Sequence, residues 1–128
     1  MNKLYALIKV HWLAGNIILE YNFHVLERWC NMNQDDFVIF AELNRDRFDE
    51  IVQALMSHFE NIQFGSQGDD WIWIHLTDDK IEIDSFFSME LEVKGRYKYL
   101  PVFRRILQML KEDWILKVFD PPKIDTTR

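Results

Sequence analysis

The chain has 128 residues, of which 48% are hydrophobic, 15% aromatic and 28% charged, and its net charge is −6. This length fits one domain with a real core, and this composition excludes a largely disordered chain. The single cysteine, Cys30, excludes an intramolecular disulfide and indicates a reducing compartment. Lys9 and His11 interrupt the apolar N-terminus, so it predicts neither a signal peptide nor a membrane span, and we expect a cytoplasmic protein without membrane association.

The N-terminal third predicts one strand and one helix. Apolar residues alternate over 4–12, which favours a buried strand over a helix. Over 17–31 the polar side chains collect on one arc at 100° per residue, which favours a helix. Glu20, His24 and Glu27 lie on that arc and have spacings that a metal site could use, but an ordinary solvated stripe explains them as well, and we expect no metal.

The middle of the chain predicts a central strand followed by an amphipathic helix. Residues 36–42 form a short apolar run after a turn-rich segment. Asn44 is a candidate N-cap for a helix whose apolar residues recur at helical spacing from Phe48 to Phe59. The glycine-rich residues 65–70 match no phosphate-binding motif and predict a mobile surface turn.

A β-hairpin is predicted over 71–86. Residues 71–76 and 80–86 alternate in polarity, and a turn at Asp78 and Asp79 would place Leu76 opposite Ile81. One face would then carry isoleucines. The other face would carry these residues together: Trp71, Trp73, His75, Glu82, Asp84 and Phe86.

The C-terminal part predicts a strand, a helix and a last strand. Met89 begins an alternating strand, Pro101 suits the first turn of a helix that ends near Lys111, and residues 114–119 form a strand. Pro121 and Pro122 are expected to end that strand, leaving 123–128 as a frayed tail. The sequence therefore predicts a single α+β domain over 1–122, with a mixed or antiparallel sheet of about five to seven strands and about three helices.

The acidic residues are concentrated in one part of the sequence. Residues 35–92 contain fifteen acidic side chains and three basic ones, which makes a partner of positive charge the natural candidate. Two interpretations of the tryptophan face remain open. Either Trp71, Trp73, Glu82 and Asp84 are exposed and bind a partner, or the tryptophans cover the sheet with the acids at its solvated edge. Exposure avoids the cost of burying unpaired carboxylates.

Other function classes have weaker support in the sequence. Direct nucleic-acid binding needs clustered lysine and arginine, whereas the most aromatic region here is the most acidic. A small enzyme or ligand-binding domain could use His75, Glu82 and Asp84 in a pocket, but no nucleophile or cofactor motif accompanies them, so we expect neither enzymatic activity nor a cofactor. A third possibility is that the aromatic face mediates self-association.

With its acidic, tryptophan-bearing residues 69–92 and no catalytic motif, the chain resembles in profile the small immunity proteins that neutralise toxins in bacterial toxin systems, such as contact-dependent growth inhibition. The resemblance implies a cationic protein partner, a cognate toxin that is often nuclease-like, bound by charge complementarity. The expected partner-binding residues on this interpretation are Trp71, Trp73, His75, Asp78, Asp79, Glu82, Asp84 and Phe86. The chain itself is expected to be a monomer or a weak dimer.

Overall fold

The computed structural model describes residues 32–128, within which Gln34–Arg128 form one compact unit. The chain builds a six-stranded sheet in the order β2-β3-β4-β5-β1-β6, and every neighbouring pair is antiparallel. The elements in chain order are β1 (Phe37–Leu43), α1 (Phe48–Met56), β2 (Ile62–Gly65), β3 (Trp71–His75), β4 (Lys80–Asp84), β5 (Leu91–Arg96), α2 (Leu100–Met109) and β6 (Ile115–Ile124).

The α+β class and the predicted number of strands are confirmed, and the sheet is antiparallel rather than mixed. Residues 32–128 contain two α-helices where about three were predicted for the whole chain. The predicted strand over 4–12 and the predicted helix over 17–31 lie outside the described residues. Between residues 32 and 128, neither helix has the length and apolarity needed to cross a membrane.

Both helices begin where local sequence signals place them. The Asn44 side chain accepts a hydrogen bond from the backbone N–H of Asp46 and caps a 3-10 turn that leads into α1. Asp49 and Glu50 occupy the first turn of α1, where the helix dipole favours negative charge. Pro101 lies in the first turn of α2, where its missing N–H leaves no intrahelical bond unmade.

The apolar core lies between one face of the sheet and the two helices. The ring of Phe103 on α2 stacks on Phe40 of β1 with centroids 4.7 Å apart. Gly95 permits this close packing, because a Cβ there would lie 2.8 Å from Cδ1 of Ile81 and 3.6 Å from the ring of Phe40. We call this side the helix-covered face, and the opposite side of the sheet the polar face. The largest fully buried side chains of the core are Phe40, Leu43, Ile51, Leu55, Ile72, Ile74, Ile81, Ile83, Leu91 and Ile106.

The hairpin forms as predicted, but its register is displaced by two residues. Ile74 rather than Leu76 pairs with Ile81, and His75 pairs with Lys80, so that residues 76–79 form a four-residue connection. The backbone N–H of Leu76 donates to the carbonyl of Asp79 across that connection. Because the displacement equals the side-chain period of a strand, each residue keeps its predicted face.

Two parts of the chain differ from the predictions because of pairing partners distant in sequence. Gly65 lies in the predicted turn but instead ends strand β2, where it pairs with Trp71. A Cβ on Gly65 would lie 2.8 Å from the indole of Trp71. Strand β6 continues past Pro121 and Pro122, which fall in the irregular stretch between the pairs Ala41–Val118 and Ile39–Lys123.

The tail predicted to fray makes specific contacts instead. Asp125 is buried, and its backbone N–H donates to the carbonyl of Phe37. Thr127 donates to the carboxylate of Asp125 through both its backbone N–H and its hydroxyl. Residues 123–128 are thereby held to strand β1 and to the polar face.

Candidate functional site

The polar face buries two carboxylates for which the sequence predicts exposure. Glu82 and Asp84 point away from the helix-covered face as predicted, but Glu82 is nearly buried and Asp84 fully buried. The expectation of exposure was wrong because each carboxylate has a cationic partner that the hairpin sequence does not reveal. A buried ion is tolerated when it is paired and hydrogen-bonded, and both are.

The partners of these carboxylates come from strand β5 and from the tail. Lys94, itself 2% exposed, donates from Nζ to Oδ1 of Asp84 at 2.7 Å. Arg128 donates from Nη2 to Oε2 of Glu82 at 2.6 Å, and its guanidinium lies 3.7 Å from the centroid of the Phe37 ring. One pair joins β5 to β4, and the other joins the tail to β4. Ion pairs therefore connect separate segments on the polar face, as apolar contacts do in the core.

Carboxylates outnumber cations around these pairs. Glu92 lies 3.9 Å from the Nζ of Lys94, and Asp125 lies 3.6 Å from the Nε of Arg128. Four carboxylates thus share two cations. Oδ2 of Asp84 is buried and accepts no hydrogen bond from the part of the chain that the structure describes. Oδ2 of Asp125 is a second buried oxygen without a hydrogen bond among the described residues, so the polar face retains negative charge and two unused acceptors.

Two of these carboxyl groups have shifted pKa values. Burial raises the pKa of Glu92 above its ordinary value, since the attraction of Lys94 only partly offsets the loss of water and nearby carboxylates oppose ionisation. Burial acts to raise the pKa of Asp125 as well, but the two hydrogen bonds from Thr127 and the nearby cations outweigh it, so the pKa of Asp125 is lowered.

A cavity of about 330 Å³ opens on the polar face. Glu82, Asp84 and Lys94 form charged walls, with Thr127 and Arg128 of the tail beside them. Phe86 and Phe87 also line the cavity while remaining 44% and 66% exposed, which places them at its mouth. The cavity thus combines ionic side chains with aromatic rings.

A row of aromatic side chains runs along β3 on the same face. The rings of Trp71 and Trp73 have centroids 4.7 Å apart, and His75 meets the edge of Trp73 at 6.3 Å. The Nζ of Lys80 lies 3.6 Å from the centroid of the Trp73 ring, and Nε2 of His75 is hydrogen-bonded to Oε1 of Gln63 at 2.8 Å. Trp71 and Trp73 are half-buried. Their rings therefore pack against neighbouring side chains while part of their aromatic surface stays accessible.

The predicted binding residues divide among three places on the hairpin. Glu82, Asp84 and Phe86 meet in the cavity, whereas Asp78 and Asp79 lie in the turn at the opposite end of β4. Asp78 is exposed, while Asp79 accepts a hydrogen bond from Nε of Arg96 at 3.1 Å. His75 is at the turn end of β3 and is not among the residues that line the cavity. This cavity therefore contains Glu82 and Asp84 of the predicted pocket but not His75.

The two most exposed large apolar side chains of residues 32–128, Phe87 and Met89, lie between β4 and β5. Residues 85–90, which we call the aromatic loop, carry Phe86, Phe87 and Met89, and Met89 is 83% exposed. Clustered apolar exposure of this kind marks interaction sites more often than scattered single residues do. Phe87 and Met89 were not among the binding residues predicted from the sequence. Two adjacent phenylalanines between serines, at the end of a predicted strand, could have indicated an exposed aromatic loop.

Hydrogen bonds fix the base of the aromatic loop. The backbone N–H of Ser85 donates to the carbonyl of Asp70, and the hydroxyl of Ser85 accepts from the N–H of Asp70. The backbone N–H of Arg45 donates to Glu90 at 2.9 Å, and its Nε donates to Asp70 at 2.8 Å. This hydrogen bond to Asp70 raises the pKa of Arg45. Asp69, on the neighbouring turn, is exposed. The aromatic loop therefore projects exposed apolar side chains from a hydrogen-bonded base, next to acidic residues.

Comparison of the chain with models of protein families, with curated proteins and with solved structures finds no match. Residues 32–128 also contain no group of three or more histidine, cysteine, aspartate or glutamate side chains arranged to hold a metal ion.

Proposed function

We propose that this protein is a protein-binding inhibitor, an immunity-type protein that neutralises a basic, nuclease-like toxin. The observation that carries the proposal is the aromatic loop, which exposes Phe86, Phe87 and Met89 on a hydrogen-bonded base beside acidic side chains. Exposed aromatic and methionine side chains are enriched at the centres of protein interfaces, and carboxylates around them select a cationic partner.

The fixed base of the loop supports tight binding. A loop that is ordered before association loses less conformational entropy when the partner arrives. Hydrogen bonds from Ser85 and Arg45 hold the two ends of this loop, and Ser88 accepts from the N–H of Glu90 within it. The exposed side chains therefore project from a defined backbone.

The distribution of charge along the sheet supports a cationic partner. The acids at the β2 end of the sheet lie on β4 and in the neighbouring turns, with Lys80 as the one lysine among them, whereas β6 at the other end carries Lys117 and Lys123 with Asp120. Such a dipolar surface orients an approaching basic protein toward the acidic end and speeds the encounter. Fast capture suits an inhibitor of a toxin that is lethal in small numbers.

The hairpin residues have different roles on this proposal. Phe86 and the accessible edges of Trp71 and Trp73 supply contact area, and exposed Asp78 contributes to steering. Glu82 and Asp84 act through the cavity that they line, since their internal ion pairs remove them from the open surface. Reversing the charge of Glu82 or Asp84 is consequently a poor test of binding, because it would disrupt the fold.

The test is a comparison of two matched double variants in the native host. Phe87→Ser with Met89→Ser removes the apolar tips of the loop, whereas Leu116→Ser with Val118→Ser removes two other exposed apolar side chains, from β6. We expect the wild type and the β6 variant to bind a basic protein in equal amount and to suppress its toxicity. The loop variant is expected to bind at least about tenfold more weakly.

The association rate is expected to fall with added salt, at least about tenfold between low and high ionic strength. An unchanged affinity in the loop variant, or a bound protein whose toxicity the chain does not suppress, contradicts the proposal. Sedimentation of the purified chain provides the remaining check: a tight dimer dissociated by the loop variant would identify the loop as a self-association surface instead.

A further inference from the structure

We propose that the cavity on the polar face is a binding site for a cationic side chain of the protein partner, an arginine in particular. This inference rests on the proposed function and adds to it the chemical group that the partner inserts. It starts from a cavity of about 330 Å³, which is the size of a small-ligand site, with Glu82, Asp84, Phe86 and Phe87 among its walls.

The first argument is an unused buried acceptor. Asp84 is fully buried and uses Oδ1 to accept from Nζ of Lys94 at 2.7 Å and from the N–H of Phe86 at 3.2 Å. Its Oδ2 receives no hydrogen bond from the residues that the structure describes. An unpaired buried carboxylate oxygen is costly, and because Asp84 lines the cavity, a donor that reached this oxygen from the cavity would satisfy it.

The second argument is the sign of the surrounding charge. Lys94 and Arg128 already lie at the cavity, but Glu82, Asp84, Glu92 and Asp125 surround them, so the balance stays negative. An anion would meet these carboxylates, whereas a cation gains from them. The pKa of Glu92 is raised chiefly by burial, and repulsion from the nearby carboxylates of Asp125 and Asp84 adds to that shift.

The third argument is that the polar face already binds a guanidinium in the same manner. Arg128 donates a hydrogen bond to Glu82, and its guanidinium carbon lies over the Phe37 ring, 3.7 Å from the ring centroid. The cavity offers an incoming arginine the same two elements, a carboxylate oxygen at Asp84 and an aromatic ring at Phe87. Arginine pairs with carboxylates and stacks on aromatic rings better than lysine does.

The experiment is an NMR titration of the full chain with N-acetylarginine amide, compared with the neutral N-acetylcitrulline amide of nearly the same shape. We expect saturable shifts of the amide resonances of Phe86, Phe87 and Arg128 with the arginine derivative, and binding of the citrulline derivative at least about tenfold weaker. No saturable shift at these residues, or equal binding of the two derivatives, overturns the inference.

Three variants locate the binding. Asp84→Asn is expected to weaken binding of the arginine derivative about tenfold or more. Phe87→Ala, at an exposed position, avoids the risk that Asp84→Asn fails to fold, and is expected to weaken binding about fivefold. Leu116→Ala changes an exposed residue of β6 that does not line the cavity and should leave binding unchanged. Equal binding by Phe87→Ala and Leu116→Ala overturns the inference.

The outcomes separate this inference from the proposed function. If the chain binds and neutralises a basic toxin through the aromatic loop but ignores the arginine derivative, the inference about the cavity is wrong and the proposed function stands. If the arginine derivative binds at the cavity while no toxin is neutralised, the proposed function is wrong and the partner assigned to the cavity is wrong with it.

Discussion

The two faces of the β3–β4 hairpin alternate along the same ten residues but are stabilised in different ways. On the helix-covered face, Ile72, Ile74, Ile81 and Ile83 are fully buried by apolar packing. On the polar face, Glu82 and Asp84 are buried through ion pairs with Arg128 and Lys94. Apolar packing adapts to many neighbours, whereas each buried charge requires one particular partner. The residues of the polar face are therefore harder to replace by other residue types than those of the helix-covered face.

The largest effect is expected from removing the cation of the buried pair. Lys94→Met leaves the carboxylate of Asp84 buried without its partner, which should lower the free energy of unfolding by about 3–5 kcal/mol. Urea unfolding followed by tryptophan fluorescence measures this change. Lys98→Met is the matched control, because the exposed Lys98–Asp35 pair is expected to contribute less than about 1 kcal/mol.

A double variant separates loss of pairing from loss of packing. Asp84→Leu combined with Lys94→Met replaces both charges by apolar side chains and should recover most of the lost stability. If Lys94→Met costs no more than Lys98→Met, the ion pair does not organise the polar face.

A smaller but still large effect is expected on the helix-covered face. Ile83→Ala removes apolar volume from the centre of the core and should cost about 3 kcal/mol in the same unfolding experiment. Ile124→Ala makes the same chemical change on exposed strand β6 and should stay within about 0.5 kcal/mol. Similar costs at the two positions would contradict the placement of the core.

The smallest effect concerns the dependence of stability on pH. The pKa of Glu92 is raised in the folded state by burial, so its ionised form opposes folding at neutral pH. This penalty fades as pH falls through the raised folded-state pKa and is absent below the ordinary value of the unfolded chain. Glu92→Gln should therefore stabilise the protein slightly at pH 7 and leave its stability unchanged near pH 3.

Glu112→Gln is a suitable comparison at the same two pH values, because it makes the same chemical change at an exposed position. Destabilisation by Glu92→Gln at pH 7 would mean that its attraction to Lys94 outweighs its burial.

Several elements could be predicted because their signals are local. The cap at Asn44, the apolar spacing in α1 and the proline in the first turn of α2 each act within a few residues. The assignment of hairpin residues to faces was also correct, since strand alternation does not depend on the register to within two residues. Strand β2 was missed because its four residues carry little pattern of their own and pair with β3 across a turn.

The candidate site was predicted only in part for the same physical reason. Glu82, Asp84 and Phe86 were singled out, but the cations that bury the two carboxylates are 46 and 10 residues away in sequence. Arg128 gave no local sign of its role, because nothing in residues 123–128 indicates contact with β1 or β4. Burial of the carboxylates therefore could not be inferred from the hairpin alone.

The sequence by itself determined the α+β class, the positions of the helices and the two-faced character of the hairpin, since each follows from residue type and spacing within one segment. Tertiary structure alone decided that Lys94 and Arg128 neutralise the hairpin carboxylates, that the tail closes one wall of a cavity, and that the aromatic loop stays exposed. Those features depend on which distant segments meet, and the energy of a buried charge depends on its neighbours in space rather than in sequence.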